Sequence, residues 1–242
     1  MTGYRTLRAR AQAAIPDSPA TVEARALALD PSTFVHAIER GWLLIAADGT
    51  LACVHGDADA EARDALLDIA GFDGVLLLPD APGVAPGASW AVERARILTA
   101  SPASLANEAR EATRLQSGVI IRDLAAGDSI THLSAPLRGD IERARRTREV
   151  NAAFVDGLPV AFAYVSLETE RHGDLSVDTQ EGWQRRGLGA AVLRPVIAGL
   201  VARGVRPVWG AVESNAASLG LARRLGFTET AGTLLAATRL AA

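Results

Sequence analysis

A chain of 242 residues has room for one large or two small domains, and 49% hydrophobic against 22% charged residues excludes a disordered tail-like protein. A net charge of −3 supplies no overall basic field, which argues against nucleic acid as a partner. The single cysteine excludes an intramolecular disulfide and suits a reducing, cytoplasmic setting; no signal-peptide pattern and no apolar run near the roughly 20 residues of a membrane span is found, so neither leader nor membrane is expected.

Residues 1–30 are rich in alanine and arginine at helical spacing, and Asp30, Pro31 and Ser32 offer a start signal for a helix over Thr33–Arg40. Asp48 and Gly49, between the apolar runs Trp42–Ala47 and Thr50–His55, predict a hairpin. Ala58–Ala70 reads as a helix and Gly74–Leu78 as a buried strand. Past a loop over Pro79–Gly87, Trp90–Leu98 reads as a strand and Ser101–Gln116 as a helix. A boundary near Gly118 gives domains of residues 1–117 and 118–242. The order hairpin, helix, strand loosely echoes the second half, and a degenerate, non-catalytic copy of the same fold is one reading of that echo.

In the second half, Val119–Leu124 predicts a strand and Ala135–Glu149 a helical region. Val150–Asp156 and Pro159–Glu168 pair across Gly157 and Leu158, and Arg171–Thr179 forms a further strand. That strand leads into Gln184, Arg185, Arg186, Gly187, Leu188, Gly189 and Ala190, where a helix opens that is ended by Gly204. Leu193, Val196, Ile197, Leu200 and Val201 give this helix a core face, while Pro195 inside it costs about 3 kcal/mol or a kink. Arg206–Glu213 reads as a buried strand, followed by a helix with Asn215 as N-cap and Gly226 just past its end.

A glycine-rich turn between strand and helix points backbone N–H groups outward beside the positive end of a helix dipole, and such a place binds phosphate. The chain has no lysine, so it is not a P-loop, and the third glycine of a dinucleotide fingerprint would fall on Val192. The pattern alone is equally compatible with an ordinary turn. The spacing resembles Q/R-x-x-G-x-G/A, the pyrophosphate loop of the GNAT superfamily of acyl-CoA-dependent N-acyltransferases. Some thirty residues on, Asn215, Ser218, Leu219, Leu221, Arg224, Gly226 and Phe227 resemble its second signature, N-x-x-A-x-x-L-Y-x-K-x-G-F. The resemblance covers about residues 118–242 and has no readable counterpart before them.

The resemblance implies an α/β fold with a mixed sheet and splayed central strands, preceded here by a smaller α/β N-terminal domain of unknown role. It implies acetyl-CoA as cosubstrate and no metal, with Val177, Asp178 and Thr179, the loop Gln184–Ala190, Asn215 and Ser218 holding the cofactor. An amine on a small molecule or peptide would attack the thioester directly, without a covalent enzyme intermediate; a homodimer is left open. Attack needs a neutral amine and so a base. Asp174, on the strand that lines the acyl site, is the first candidate and Glu170 the second; Glu168, Asp178 and Glu213 also lie near, although the usual fate of such carboxylates is a solvated edge or an ion pair. His172 is the one histidine close enough to matter, and Cys53 reads as a small buried hydrophobe. Three departures stand out: Glu181 replaces a proline, Gln184 replaces the commoner arginine, and Ala222 replaces the tyrosine that often protonates the CoA thiolate. A catalytically silent acyl-CoA-binding or regulatory module is therefore the rival reading, and a nucleotide-binding protein a more distant one.

Overall fold

The computed structural model describes residues 2–240 except 58, 83, 85, 102–104, 106–116 and 147, so all but Ser101 and Leu105 of the helix expected over Ser101–Gln116 lies outside the described residues. The chain divides into two units. The first comprises Met1–Leu98, Gly210–Leu219 and Glu229–Ala242; the second comprises Thr99–Trp209 and Gly220–Thr228.

In the first unit, α1 (Thr2–Ala14) and α2 (Val22–Leu29) precede the strands β1 (Phe34–Ile38), β2 (Arg40–Ile45) and β3 (Leu51–Asp57). Then come α3 (Ala60–Ile69), β4 (Val75–Pro79) and β5 (Trp90–Thr99), and the last strand of the chain, β11 (Thr228–Arg239), returns here. The strand order is β1-β2-β3-β4-β11-β5. Alternation along β2, β3 and β4 sorts the side chains into two layers. Leu43, Ile45, Ala52, Val54, Leu76 and Leu78 pack with Leu67 and Phe72 on the α3 side. Trp42, Leu44 and Cys53 pack with Ala11, Ile15, Ala24, Leu27 and Ala28 from α1, α2 and the turn between them.

The helix expected over Thr33–Arg40 is a strand instead. Asp30 ends α2, its N–H donating to Ala26 O at 3.0 Å, and its Oδ1 accepts the Ser32 N–H at 2.8 Å in a local turn that starts no helix. Phe34–Ile38 then pairs antiparallel with β2, Val35 opposite Leu44, through a tight turn at Glu39 with φ of 48°. Cross-strand pairing and burial of Val35 and Ile38 outweigh the local start signal. The Asp48–Gly49 hairpin, the α3 helix and the β4 and β5 strands form where the sequence predicts them.

The second unit contains β6 (Ile120–Asp123), α4 (Ala135–Ala144), β7 (Asn151–Val155), β8 (Leu158–Glu168), β9 (His172–Thr179) and α5 (Leu188–Ala202). It also takes residues 206–209 of β10 (Arg206–Val212) and residues 220–224 of α6 (Ala216–Arg224). The order is β10-β9-β8-β7-β6, with β9 and β10 parallel and the other neighbours antiparallel. Asp156 and Gly157, at φ of 49° and 79°, make the left-handed two-residue turn that a tight hairpin requires. α4 packs through Ile141 and Ala144 against Phe154 and Phe162, and α5 packs on β7, β8 and β9. Among the described residues, no helix is long and apolar enough to cross a membrane.

Candidate active site

β9 and β10 pair parallel over three rungs only: His172 with Arg206, Gly173 with Pro207, and Asp174 with Val208. β9 continues to Thr179 without β10 beside it, while β8 pairs with its other edge as far as Thr179. The backbone of Leu175–Thr179 thus borders a wedge on one side, and Asp174 stands on the last rung, at its vertex.

Beyond Thr179 the chain turns into α5. Trp183 N–H donates to Gln180 O at 3.0 Å, and Gln184 Nε2 donates back to Thr179 O at 3.3 Å. The Arg186 guanidinium lies 4.6 Å from the centre of the Trp183 ring, a cation–π contact that braces the turn. Arg185 and Gly187 have φ of 60° and 80°, with Arg186 between them outside the left-handed region. Such alternation gathers successive N–H groups into a concave anion nest. Gly187 is also the N-cap of α5, followed by helical N–H groups that have no partner within the helix. Gly189 sits at a close approach: a Cβ there would lie 3.3 Å from Leu221 Cδ2, 3.5 Å from Val177 Cγ2 and 3.7 Å from Thr179 Oγ1. Val177, Thr179 and the loop are therefore brought together.

Asp174, Ser176 and Asp178 share the other face of β9. Ser166 Oγ donates to Asp174 Oδ2 at 2.5 Å. Burial pushes the Asp174 carboxyl up to about 6, restrained by the hydrogen bonds from Ser166 and from the Leu175 backbone. Burial also raises Asp178, with the negative charge of Asp140 on α4 adding to it. Tyr164, opposite Ser176, is raised by burial first and then by Asp178. Ser166, Tyr164, Ser176 and Asp140 escape sequence reasoning; the two-residue period along β8 and β9 is the signal that would have grouped three of them.

The other candidates lie elsewhere. Glu170 is exposed in the turn before β9, outside the strand that borders the wedge. Glu168 pairs with Arg203 at 2.8 Å, and Glu213 with Arg96 at 2.5 Å. His172 is buried, and its N–H donates to Thr169 Oγ1 at 3.0 Å. Asn215 caps α6, its Oδ1 accepting the Ser218 N–H at 3.0 Å. Ala222 is fully buried, and its carbonyl accepts the N–H groups of Leu225 and Phe227 at 3.0 Å each.

A family profile described as GNAT acetyltransferase matches residues 153–232. No curated protein sequence matches the chain. Among solved structures, a GCN5-related N-acetyltransferase-like protein from Streptococcus suis is similar at 16% identity and a TM-score of 0.70, over 98% of this chain and 100% of that one. A GCN5-related N-acetyltransferase from Kribbella flavida is similar at 14% identity and 0.62, over 92% and 95%. A tandem GNAT protein from the clavulanic acid biosynthesis pathway is similar at 12% identity and 0.59, over 97% and 95%. These likenesses are of fold, and they extend through the first unit as well as the second.

Proposed function

We propose that the protein, whose residues 153–232 match the GNAT acetyltransferase profile, transfers an acyl group, most simply acetyl, from its CoA thioester to a primary amine. The observation that carries this reading is the placing of Asp174 at the vertex of the β9/β10 wedge, on the same strand that leads into the anion nest. The nest and the N-terminus of α5 would hold the pyrophosphate. The pantetheine arm would lie along residues 177–179, where β9 turns an unoccupied backbone edge to the wedge. An N–H on that edge would stabilise the oxyanion formed when the amine attacks the thioester carbon.

Asp174 supplies the proton acceptor. Raised to about 6, it is ionised at neutral pH yet basic enough to draw a proton from the amine as the C–N bond forms. Collapse of the tetrahedral intermediate expels the CoA thiolate, which an alkyl-thiol pKa of about 8.5 lets water protonate near neutral pH. No dedicated acid is required there, which fits the burial of Ala222. Residues 118–242 are read as carrying the chemistry and residues 1–117 as outside it, with residues 210–219 and 229–242 nonetheless packing in the first unit. The acceptor is a small molecule or a peptide amine.

The test is release of CoA thiol from acetyl-CoA with a panel of amines, run beside calorimetry of acetyl-CoA binding. Tight binding with turnover, lost in Asp174→Asn, supports transfer. Tight binding with no turnover for any amine at any pH establishes the silent-module reading instead.

A further inference from the structure

An irregularity in the neighbouring strand holds the vertex residue of the second unit. β8 and β9 pair residue for residue from Ala161 with Thr179 to Val165 with Leu175, and the next rung joins Leu167 to Asp174. Ser166 is therefore an extra residue on β8. Such a β-bulge sets two residues against one and re-aims a side chain. The period of two along β8 puts Ser166 on the face of Tyr164, which lies opposite Ser176 and so on the face of Asp174. A hydroxyl and an apolar side chain, Ser166 and Leu167, thus flank one carboxylate.

Ser166 Oγ donates to Asp174 Oδ2 at 2.5 Å, a length proper to an ionised acceptor, and lies 3.2 Å from Asp174 O. The Leu175 backbone is the second donor to that carboxyl. An ionised carboxylate has about four lone-pair sites, so capacity remains for a proton from the amine. The surrounding charges leave the Ser166 bond as the local control. On β10 the facing residue is Val208. Glu168 of β8 lies on the other face, opposite Gly173, and pairs with Arg203 at 2.8 Å. On the face of Asp174 stand His172 and Asp178 of β9 and Tyr164 of β8, with Asp140 of α4 paired to Arg143 at 2.5 Å.

The first unit supplies the contrast. β3 and β4 run parallel for three rungs and part after Cys53 and Leu77, beside a cavity of about 480 Å³ lined in part by Cys53, His55, Leu77 and Pro79. There β2, the strand next to the vertex, pairs with β3 in unbroken register, with Leu44 opposite Cys53. The vertex without a carboxylate has neither a bulge beside it nor a hydroxyl opposite it.

Resting on the reading of Asp174 as the base, we propose that Ser166 is its positioning residue: the β8 bulge aims the hydroxyl that fixes Oδ2, so that the remaining lone pairs meet the amine in one orientation. As the C–N bond forms, a proton on nitrogen passes to one of those lone pairs, and the Ser166 hydroxyl stays a donor throughout. Ser166 favours the charged carboxylate, whereas Leu167 opposes it by excluding water, so substitutions at the two act in opposite senses.

The test reads the carboxyl and the rate together, in the full chain. Carbon-13 NMR of protein labelled at its aspartate carboxyls follows titration without turnover, the Asp174 signal being identified by its loss in Asp174→Asn. That signal should titrate at about 6 in wild type, about one pH unit higher in Ser166→Ala, and lower in Leu167→Ala. Ser166→Thr, which keeps the hydroxyl, should match wild type. The acid limb of kcat should move in the same order. Above that limb Ser166→Ala should lose about ten-fold in kcat with the KM for acetyl-CoA unchanged, and Ser166→Thr should restore the rate. An Asp174 signal unmoved in Ser166→Ala, or moved equally in Ser166→Thr, overturns the role of Ser166 and leaves the base assignment standing. A signal that moves while the kcat limb stays, or no turnover with any amine, overturns the base assignment and this role with it.

Discussion

The two wedges make an instructive pair. In each unit a parallel strand pair runs three rungs and stops, with one side chain at the vertex: Cys53 in the first, Asp174 in the second. Helices pack on strands of both wedges, and strand leads to helix in both. The chemistry differs completely. The turn after β9 alternates backbone handedness and ends on a glycine cap, whereas α3 is capped by an aspartate that consumes one of the N–H groups a phosphate would need. A backbone architecture of this kind makes an opening; a handful of side chains decides whether that opening accepts an anion, and whether a base waits at its vertex.

The sharpest way to break the comparison is at the two turns. Gly187→Val forces a β-branched residue to φ near 80°, and Gly189→Val must displace Leu221 and Val177. Each should abolish measurable acetyl-CoA binding by calorimetry. Asp59→Ala, the corresponding change in the first unit, should cost about 1 kcal/mol of stability and leave acetyl-CoA affinity untouched. Normal binding in both glycine variants would remove the phosphate assignment from α5.

Next in size is the vertex. Asp174→Asn should lower kcat by about 10²–10⁴-fold with little change in acetyl-CoA affinity. Wild-type kcat should fall as pH drops through about 6, and the variant's residual rate should lack that limb. Stability runs the opposite way. A carboxyl raised in the folded state contributes stability that is full below its unfolded value and lost as pH rises through the folded one. Asp174→Asn should therefore be more stable than wild type at pH 7, by about 1–2 kcal/mol, and nearly equal to it at pH 4; thermal melts at the two pH values check the sign. No corresponding pH signature is expected from Cys53→Ser.

How much of this is legible in the sequence depends on range. The loop Gln184–Ala190 and the cap at Asn215 are local motifs, written in contiguous residues, and the wedge strand that precedes the loop is found with them. The Asp174–Ser166 pair spans a hairpin whose register shifts at Val165–Leu167, so spacing alone gives no contact. β1 is hidden because its partner lies beyond a turn whose central residues, Glu39 and Arg40, are not glycine. β11 is hidden because its support is non-local: Leu234–Ala237 pair with Pro79–Leu76, more than 150 residues away, and nothing in residues 228–242 signals that partner. The cavity of the first unit is least legible of all, since it depends on where two strands stop pairing.

A smaller effect is expected at Asn215. Asn215→Ala loses the bond to the Ser218 N–H, about 1 kcal/mol of stability, and should raise the KM for acetyl-CoA several-fold. Asn215→Asp keeps the cap, so its melting temperature should match wild type while its KM still rises. A normal KM in the aspartate variant would reduce Asn215 to a cap alone.

The smallest change in rate is expected from restoring the missing tyrosine. Ala222 has no exposed surface, and its neighbours Leu219, Leu225 and Phe227 are buried with it. Phe227 in turn stacks edge-on to Trp209 at 5.5 Å between ring centres. A phenol introduced there has no open path from the core, so Ala222→Tyr should cost about 1–3 kcal/mol through overpacking. It should leave kcat within about two-fold of wild type, because protonating an alkyl thiolate near neutral pH is already downhill by about 2 kcal/mol with water as the donor. Melting temperature and kcat measured together decide the point. A variant that folds normally and turns over much faster would show that the acid is missing in function as well as in sequence.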